Sequence, residues 1–203
     1  MLHLLLVRHG ETEWNAQRRY QGQSDVPLSE FGKRQAELVT KRLAGRAIDA
    51  VYASDLKRAW QTAQAIVAQN GLDVFSEPRL RELKFGVLEG LTFEEAEIQY
   101  PRMIAAWIED FNNTPEGAET IDQFNARIVS LLGDLKDKHD EQVVLLVAHG
   151  GPLSEILRVV LGLSSERRWY IEMENASLSE ILIAEDYVAL NRLNDTCHLA
   201  GLV

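Results

Sequence analysis

The chain has 203 residues, 46% of them hydrophobic and 26% charged, with a formal net charge of −10. That length suits one compact α/β domain and is short for two, so a single domain over residues 1–203 is expected. The acidic balance argues against non-specific nucleic-acid binding and docking on anionic membranes, so an anionic ligand would need a local cluster of Arg and His. Cys197 is the only cysteine, which leaves no partner for an intrachain disulfide and no basis for a cysteine-built zinc site.

The opening MLHLLLVRHG holds an apolar run too short for a secretory signal, and no stretch approaches the roughly 18 apolar residues of a membrane helix, so a cytoplasmic protein is expected. Residues 4–7 read as a buried strand that delivers Arg8, His9 and Gly10 at its C-terminal end. Residues 29–43 carry Ala36, Val39 and Leu43 on one helical face, with Ser29 as N-cap and Gly45 as stop. A short strand over 49–53 leads to Ser54-Asp55, a capping pair for a helix running to about residue 70, and 74–75 form a weak strand. Helical patterns follow over 92–112, interrupted at Pro101, and over 120–139. The strongest buried strand, 142–148, ends at His149-Gly150-Gly151 and precedes a helix over 152–161 closed by Gly162. β-rich segments at 169–173, 177–183 and 187–193 complete the chain.

This alternation predicts an α/β fold with three layers, α/β/α, and a mainly parallel central sheet with an antiparallel edge. In such sheets the site lies beyond the carboxyl ends of the strands. Two separate strands end in His-Gly, which places His9 and His149 on the same rim.

The flanking residues give the two histidines their interest. A histidine after a strand is most often a hydrogen-bonded structural group. Arg8, however, offers a planar fork matched to phosphate oxygens, and Gly10 lets a ligand approach the backbone closely. A neutral imidazole is also a competent nucleophile toward phosphorus. The helix after His149 begins near residues 150–153, with unpaired N–H groups and the positive end of its dipole. Arg58, near a helix start, would alone read as a surface charge, and Glu82 as a solvated carboxylate.

The motifs LVRHGETEWN (6–15), YQG (20–22), LSEFG (28–32), SDLKRA (54–59), REL (81–83), Gly86, Glu89-Gly90 and AHGG (148–151) run in order along the chain. Together they resemble the histidine phosphatase superfamily, which includes the cofactor-dependent phosphoglycerate mutases. The resemblance implies a phosphoglycerate-mutase-like fold with His9 as the nucleophile that becomes phosphohistidine. It implies that Arg8, Arg58 and His149 bind the transferring phosphoryl group, with Asn15, Gln21, Gly22 and Gly150 assisting, and that Glu82 serves as acid and then base. It calls for no metal and no cofactor.

Within that superfamily the chain departs from the mutase pattern. Glu82 is followed by Leu83-Lys84-Phe85-Gly86, and Trp107 by Ile108-Glu109, where the mutases carry basic residues that hold a second anionic group. The expected activity is therefore hydrolysis of a small organic phosphomonoester, by an enzyme resembling the small bacterial phosphatases of the superfamily. The expected partner is that ester alone, with no nucleic acid and no membrane, and the enzyme a monomer or homodimer. A phosphoglycerate mutase, a phosphate-binding protein without turnover and a metal-dependent hydrolase stay open as rivals. Trp107 and Phe111 are candidate specificity residues; His3, His139 and His198 read as structural, and Cys197 as inert.

Overall fold

The computed structural model describes residues 1–68, 71–164 and 171–202. Its strands are β1 (Leu2–Arg8), β2 (Ala50–Ala53), β3 (Val74–Ser76), β4 (Gln142–Ala148), β5 (Leu178–Ile183) and β6 (Val188–Asp195). Its α-helices are α1 (Glu13–Ala16), α2 (Glu30–Leu43), α3 (Lys57–Val67), α4 (Phe93–Gln99), α5 (Pro101–Glu109), α6 (Ile121–Lys138) and α7 (Gly150–Val160). The strands form one sheet in the order β3-β2-β4-β1-β5-β6. The first four are mutually parallel, and β5 runs antiparallel to both β1 and β6.

Side chains alternate across a strand, so the continuous apolar runs of β1 and β4 feed two cores. Leu4, Leu6, Val144 and Leu146 pack against Ile128, Leu131 and Leu135 of α6 and Leu153, Ile156 and Leu157 of α7. Leu5, Val7, Leu145 and Val147 face the other way, onto Val39 and Leu43 of α2 and Ala59, Ala63 and Ile66 of α3. Each such buried Leu, Ile or Val contributes about 1.5–3 kcal/mol by leaving water, so the sheet is held rigid from both sides. This is the three-layer α/β fold with an antiparallel edge that the alternation predicts.

Local chemistry sets the helix ends. Ser29 caps α2 by accepting from Gly32 N at 3.0 Å, as its position in the sequence suggests. Thr12, Thr92 and Thr120 build capping boxes at the starts of α1, α4 and α6. At α3 the expectation fails: Leu56 is the N-cap, with no side-chain hydrogen bond. Ser54 and Asp55 are diverted to other partners, Asp55 accepting from Arg81 Nε at 2.7 Å. Helix α7 begins at Gly150 rather than at Pro152. Of the segment 169–173, residues 169 and 170 lie outside the described residues, and 171–173 form no regular element.

Register then places the site. Arg8 pairs with Ala148 across the parallel β1–β4 ladder, so His9 and His149 leave adjacent strand ends. On the far side of β4, Ala53 pairs with Val147, and Ser54 therefore emerges next to His149.

Candidate active site

His9 is 2% exposed and its backbone N–H donates to Ala148 O at 2.9 Å. Its Nδ1 lies 2.7 Å from Gly10 O. A carbonyl can only accept, so Nδ1 carries the proton and Nε2 keeps a free lone pair. Burial, then the charges of Arg58 and Arg8, hold the His9 imidazole well below its ordinary value of 6.5. The ring is thus neutral and nucleophilic at neutral pH.

Arg58 is fully buried, against its reading as a surface charge. Its Nη1 donates to Ser24 O at 2.8 Å, its Nη2 to Gly22 O at 2.7 Å and its Nε to His149 Nδ1 at 3.1 Å. One hydrogen on each Nη remains uncommitted among the described residues, a fork suited to phosphoryl oxygens. Burial, opposed by the nearby Glu82 charge, pushes Arg58 down to about 10, so it stays cationic at neutral pH. Arg8 donates through Nη1 to Met173 O, while its Nε is buried with no partner among the described residues. Burying an unpaired guanidinium N–H is costly, which makes it a donor in search of an anion.

His149 is fully buried, and its ring centroid lies 5.0 Å from that of His9 in an edge-on arrangement. Its Nδ1 accepts from Arg58, so the neutral ring must be protonated at Nε2, which lies 2.9 Å from Ser54 Oγ. Burial and then Arg58 hold this imidazole well below 6.5 as well. The sequence resemblance gives His149 a direct phosphoryl contact; in the structure both of its nitrogens face protein groups, and its immediate effect is on the orientation of Arg58.

Glu82 sits at the opening of α7. Its Oε2 accepts from Gly151 N at 3.2 Å and its Oε1 from Leu83 N at 2.8 Å. A Cβ added at Gly151 would fall 2.1 Å from Glu82 Oε1, so glycine is what lets the carboxylate seat against the helix terminus. The Glu82 charge is felt by both Arg8 and Arg58. Gly150 opens α7, where first-turn N–H groups have no intrahelical acceptor.

The remaining sequence candidates divide. Gly22 adopts φ +51° and presents its carbonyl to Arg58, and a Cβ there would lie 2.2 Å from Glu89 Oε1. Gln21 turns its side chain inward, accepting from Thr12 Oγ1 at 2.9 Å. Asn15 accepts from Thr12 N at 3.1 Å and leaves its Nδ2 uncommitted among the described residues. Gln21 therefore braces the loop, while Asn15 keeps a donor to offer.

Sequence reasoning passed over three supporting groups. Glu89 accepts from Gln23 N, Phe85 N and Ser24 Oγ, at 3.1, 3.1 and 2.6 Å, and so fixes the loop whose carbonyls hold Arg58. Thr62 accepts from Gly10 N at 3.1 Å and donates to Arg58 O at 2.8 Å, tying the His9 turn to α3. Asn175 donates to His9 O at 3.1 Å. Glu89 belongs to the Glu89-Gly90 motif that follows Glu82 in the family-like series, and that was the available signal; Thr62 carries none. Trp107 lies in an aromatic cluster, 6.0 Å from both Tyr20 and Phe85 and 5.4 Å from Phe111. It is 7% exposed, so packing is its evident role.

His3, His139 and His198 are engaged with Glu180, Tyr52 and Ala176 O. Asp195 pushes the Cys197 thiol up, which disfavours a reactive thiolate. Among the described residues no group of three His, Cys, Asp or Glu side chains is placed to hold a metal ion. None of the described helices is long and apolar enough to cross a membrane.

Comparison with known proteins places this constellation. The sequence profile of the histidine phosphatase superfamily (branch 1) matches residues 4–196. Phosphoserine phosphatase 1 of Hydrogenobacter thermophilus is 36% identical over 200 residues, covering 98% of this chain and 95% of its own. A probable phosphoglycerate mutase, GpmB, of Yersinia pestis is 38% identical, with the same coverage of 98% and 95%. Among solved structures, a putative alpha-ribazole-5'-P phosphatase from Escherichia coli superposes with TM-score 0.91 at 29% identity, covering 96% of each chain. A mycobacterial glucosyl-3-phosphoglycerate phosphatase in complex with VO3 does so with TM-score 0.86 at 33% identity, covering 96% of this chain and 99% of its own. The chain belongs to branch 1 of the histidine phosphatase superfamily.

Proposed function

We propose that this protein hydrolyses small organic phosphomonoesters through a phosphohistidine on His9. The observation that carries the proposal is the His9 ring itself. Its proton is committed to Gly10 O, which leaves Nε2 free beside the buried Arg58 and the half-buried Arg8 guanidinium groups. Phosphoryl transfer asks the protein chiefly for positioning and charge neutralisation. Arg8 and Arg58 supply both.

In the first half-reaction His9 Nε2 attacks phosphorus in line and the P–O bond to the alcohol breaks. The Glu82 carboxyl group gives its proton to the departing oxygen. In the second half a water attacks the phosphohistidine as the Glu82 carboxylate takes its proton. The P–N bond breaks, the electron pair returns to Nε2, and phosphate leaves. His149 holds Arg58 in place throughout, and Asn15 and the Gly150 N–H assist in binding the phosphoryl oxygens. Charge neutralisation falls to the guanidinium groups without a metal.

Hydrolysis is favoured over mutase chemistry because Leu83, Ile108 and Glu109 stand at sequence positions where the mutases carry basic residues for a second anionic group. The names of the relatives that are phosphatases support this reading, and that of GpmB keeps isomerisation as the outcome to test against. A single domain spans the chain, and an exposed free Cys197 suits the reducing cytoplasm.

The test is phosphate release from phosphoserine, 3-phosphoglycerate, α-ribazole phosphate and an aryl phosphate in the presence of chelator. We expect release that survives chelator and disappears in His9→Ala. Interconversion of phosphoglycerates without phosphate release would overturn the hydrolase reading, and a fully active His9→Ala would overturn the mechanism.

A further inference from the structure

Ser54 is fully buried at the end of β2, yet it caps no helix in the way its sequence position suggests. Its Oγ stands 2.9 Å from His149 Nε2, and on the opposite side of that ring Nδ1 stands 3.1 Å from Arg58 Nε. The guanidinium Nε–H is an obligate donor, so Nδ1 must offer a lone pair. The ring proton then sits on Nε2 and is donated to Ser54. A histidine with its proton on Nδ1 would meet Arg58 donor to donor.

We propose that Ser54 is a positioning residue for phosphoryl transfer: by accepting from His149 Nε2 it holds the ring in the tautomer that Arg58 Nε–H selects, keeps Nδ1 on Arg58, and so aims the two Nη groups at the phosphoryl site. The proposal rests on the phosphatase reading only for its effect on rate; its structural half stands apart. Three acceptors fix Arg58, namely Gly22 O, Ser24 O and His149 Nδ1. The two carbonyls belong to a loop, whereas His149 is anchored on the rigid end of β4. Among the described residues, only the His149 contact ties the guanidinium to the sheet that also carries His9. A neutral His149 agrees with its full burial beside Arg58 and Arg8.

The neutral ring tautomers are distinguishable by 15N NMR, because the unprotonated nitrogen resonates far downfield of the protonated one. Ring-labelled wild type should show His149 protonated at Nε2 and His9 protonated at Nδ1, two opposite tautomers in one site. In Ser54→Ala the His149 tautomer, set by Arg58, should persist while its Nε2 resonance shifts on loss of the acceptor, and the signals of His9 should stay in place. Loss of one such hydrogen bond at a positioning group should lower kcat about tenfold and weaken competitive inhibition by inorganic phosphate by a similar factor. A change in packing alone would not move the His149 Nε2 resonance and the inhibition constant in this paired way. Wild-type His149 protonated at Nδ1 would overturn the proposal, and that measurement needs no variant to fold. Unchanged His149 ring resonances and unchanged phosphate inhibition in Ser54→Ala would overturn it equally. Wild type with the expected tautomers but no activity on any ester would instead sink the phosphatase reading and leave the Ser54–His149–Arg58 chain intact.

Discussion

Gly151→Ala perturbs the proposed acid while sparing the fold. An added Cβ would meet Glu82 Oε1 at 2.1 Å and Glu82 Cδ at 3.2 Å, with Phe124 Cζ at an ordinary 3.5 Å. The carboxylate is the far end of a flexible side chain and can retreat by about 1 Å, losing the bond from Gly151 N as it goes. In stability the gain of up to ~1 kcal/mol from replacing glycine in a helix offsets the ~1 kcal/mol of the lost hydrogen bond, so Tm should shift little. Catalysis should respond differently, because a misplacement of about 1 Å costs on the order of 100-fold, or ~2.7 kcal/mol of barrier. The assay compares an alkyl with an aryl phosphate. An alkoxide leaves poorly without a proton, so kcat on the alkyl ester should fall on the order of 100-fold, while the aryl ester, with its better leaving group, loses far less. An equal loss on both esters, or none on either, would refute Glu82 as the acid held by Gly151.

Gly22→Ala strains a residue at φ +51° and drives a Cβ into Glu89 Oε1 at 2.2 Å; a loss of about 1–2 kcal/mol in thermal unfolding and weaker inhibition by phosphate should follow, since Gly22 O holds Arg58. Stability should also depend on the two site histidines. Both are held well below 6.5 by burial and by the neighbouring Arg58 charge, so the folded protein binds fewer protons than the unfolded chain as pH falls below about 6.5. Their stabilisation is complete above that pH and is lost as the pH drops toward their folded values, at up to about 1.4 kcal/mol per pH unit for each. His9→Asn should therefore flatten the dependence of unfolding free energy on pH below 6.5, and an unchanged slope would contradict a neutral His9. Glu89→Ala, which frees Gln23 N, Phe85 N and Ser24 Oγ, should raise KM for the ester more than it lowers kcat; an effect on kcat alone would speak against Glu89 as the brace of the Arg58 loop.

Much of this protein is legible along the chain because its strongest signals are local. The runs over β1 and β4 are apolar on both faces, which only a doubly covered sheet requires, and each ends in His-Gly. Ser29 and Gly45 bracket α2 as capping chemistry dictates. His9, His149, Arg8, Arg58 and Glu82 are the candidates that the family-like motifs single out, and the structure brings them to one rim. What escaped depends on neighbours distant in sequence. Arg58 reads alone as a surface charge, and only the contacts with Gly22 O, Ser24 O and His149 bury it. Ser54 reads as a cap, and only the register of β2 against β4 delivers its hydroxyl to His149 instead. Protonation is decided the same way: a histidine's tautomer follows from which partners reach each nitrogen, and those partners arrive from Gly10, Arg58 and Ser54 on three separate elements. Periodicity and capping act over a few residues and so write themselves into the sequence, whereas burial, tautomer and the aim of a guanidinium are properties of groups that only folding brings within hydrogen-bond reach.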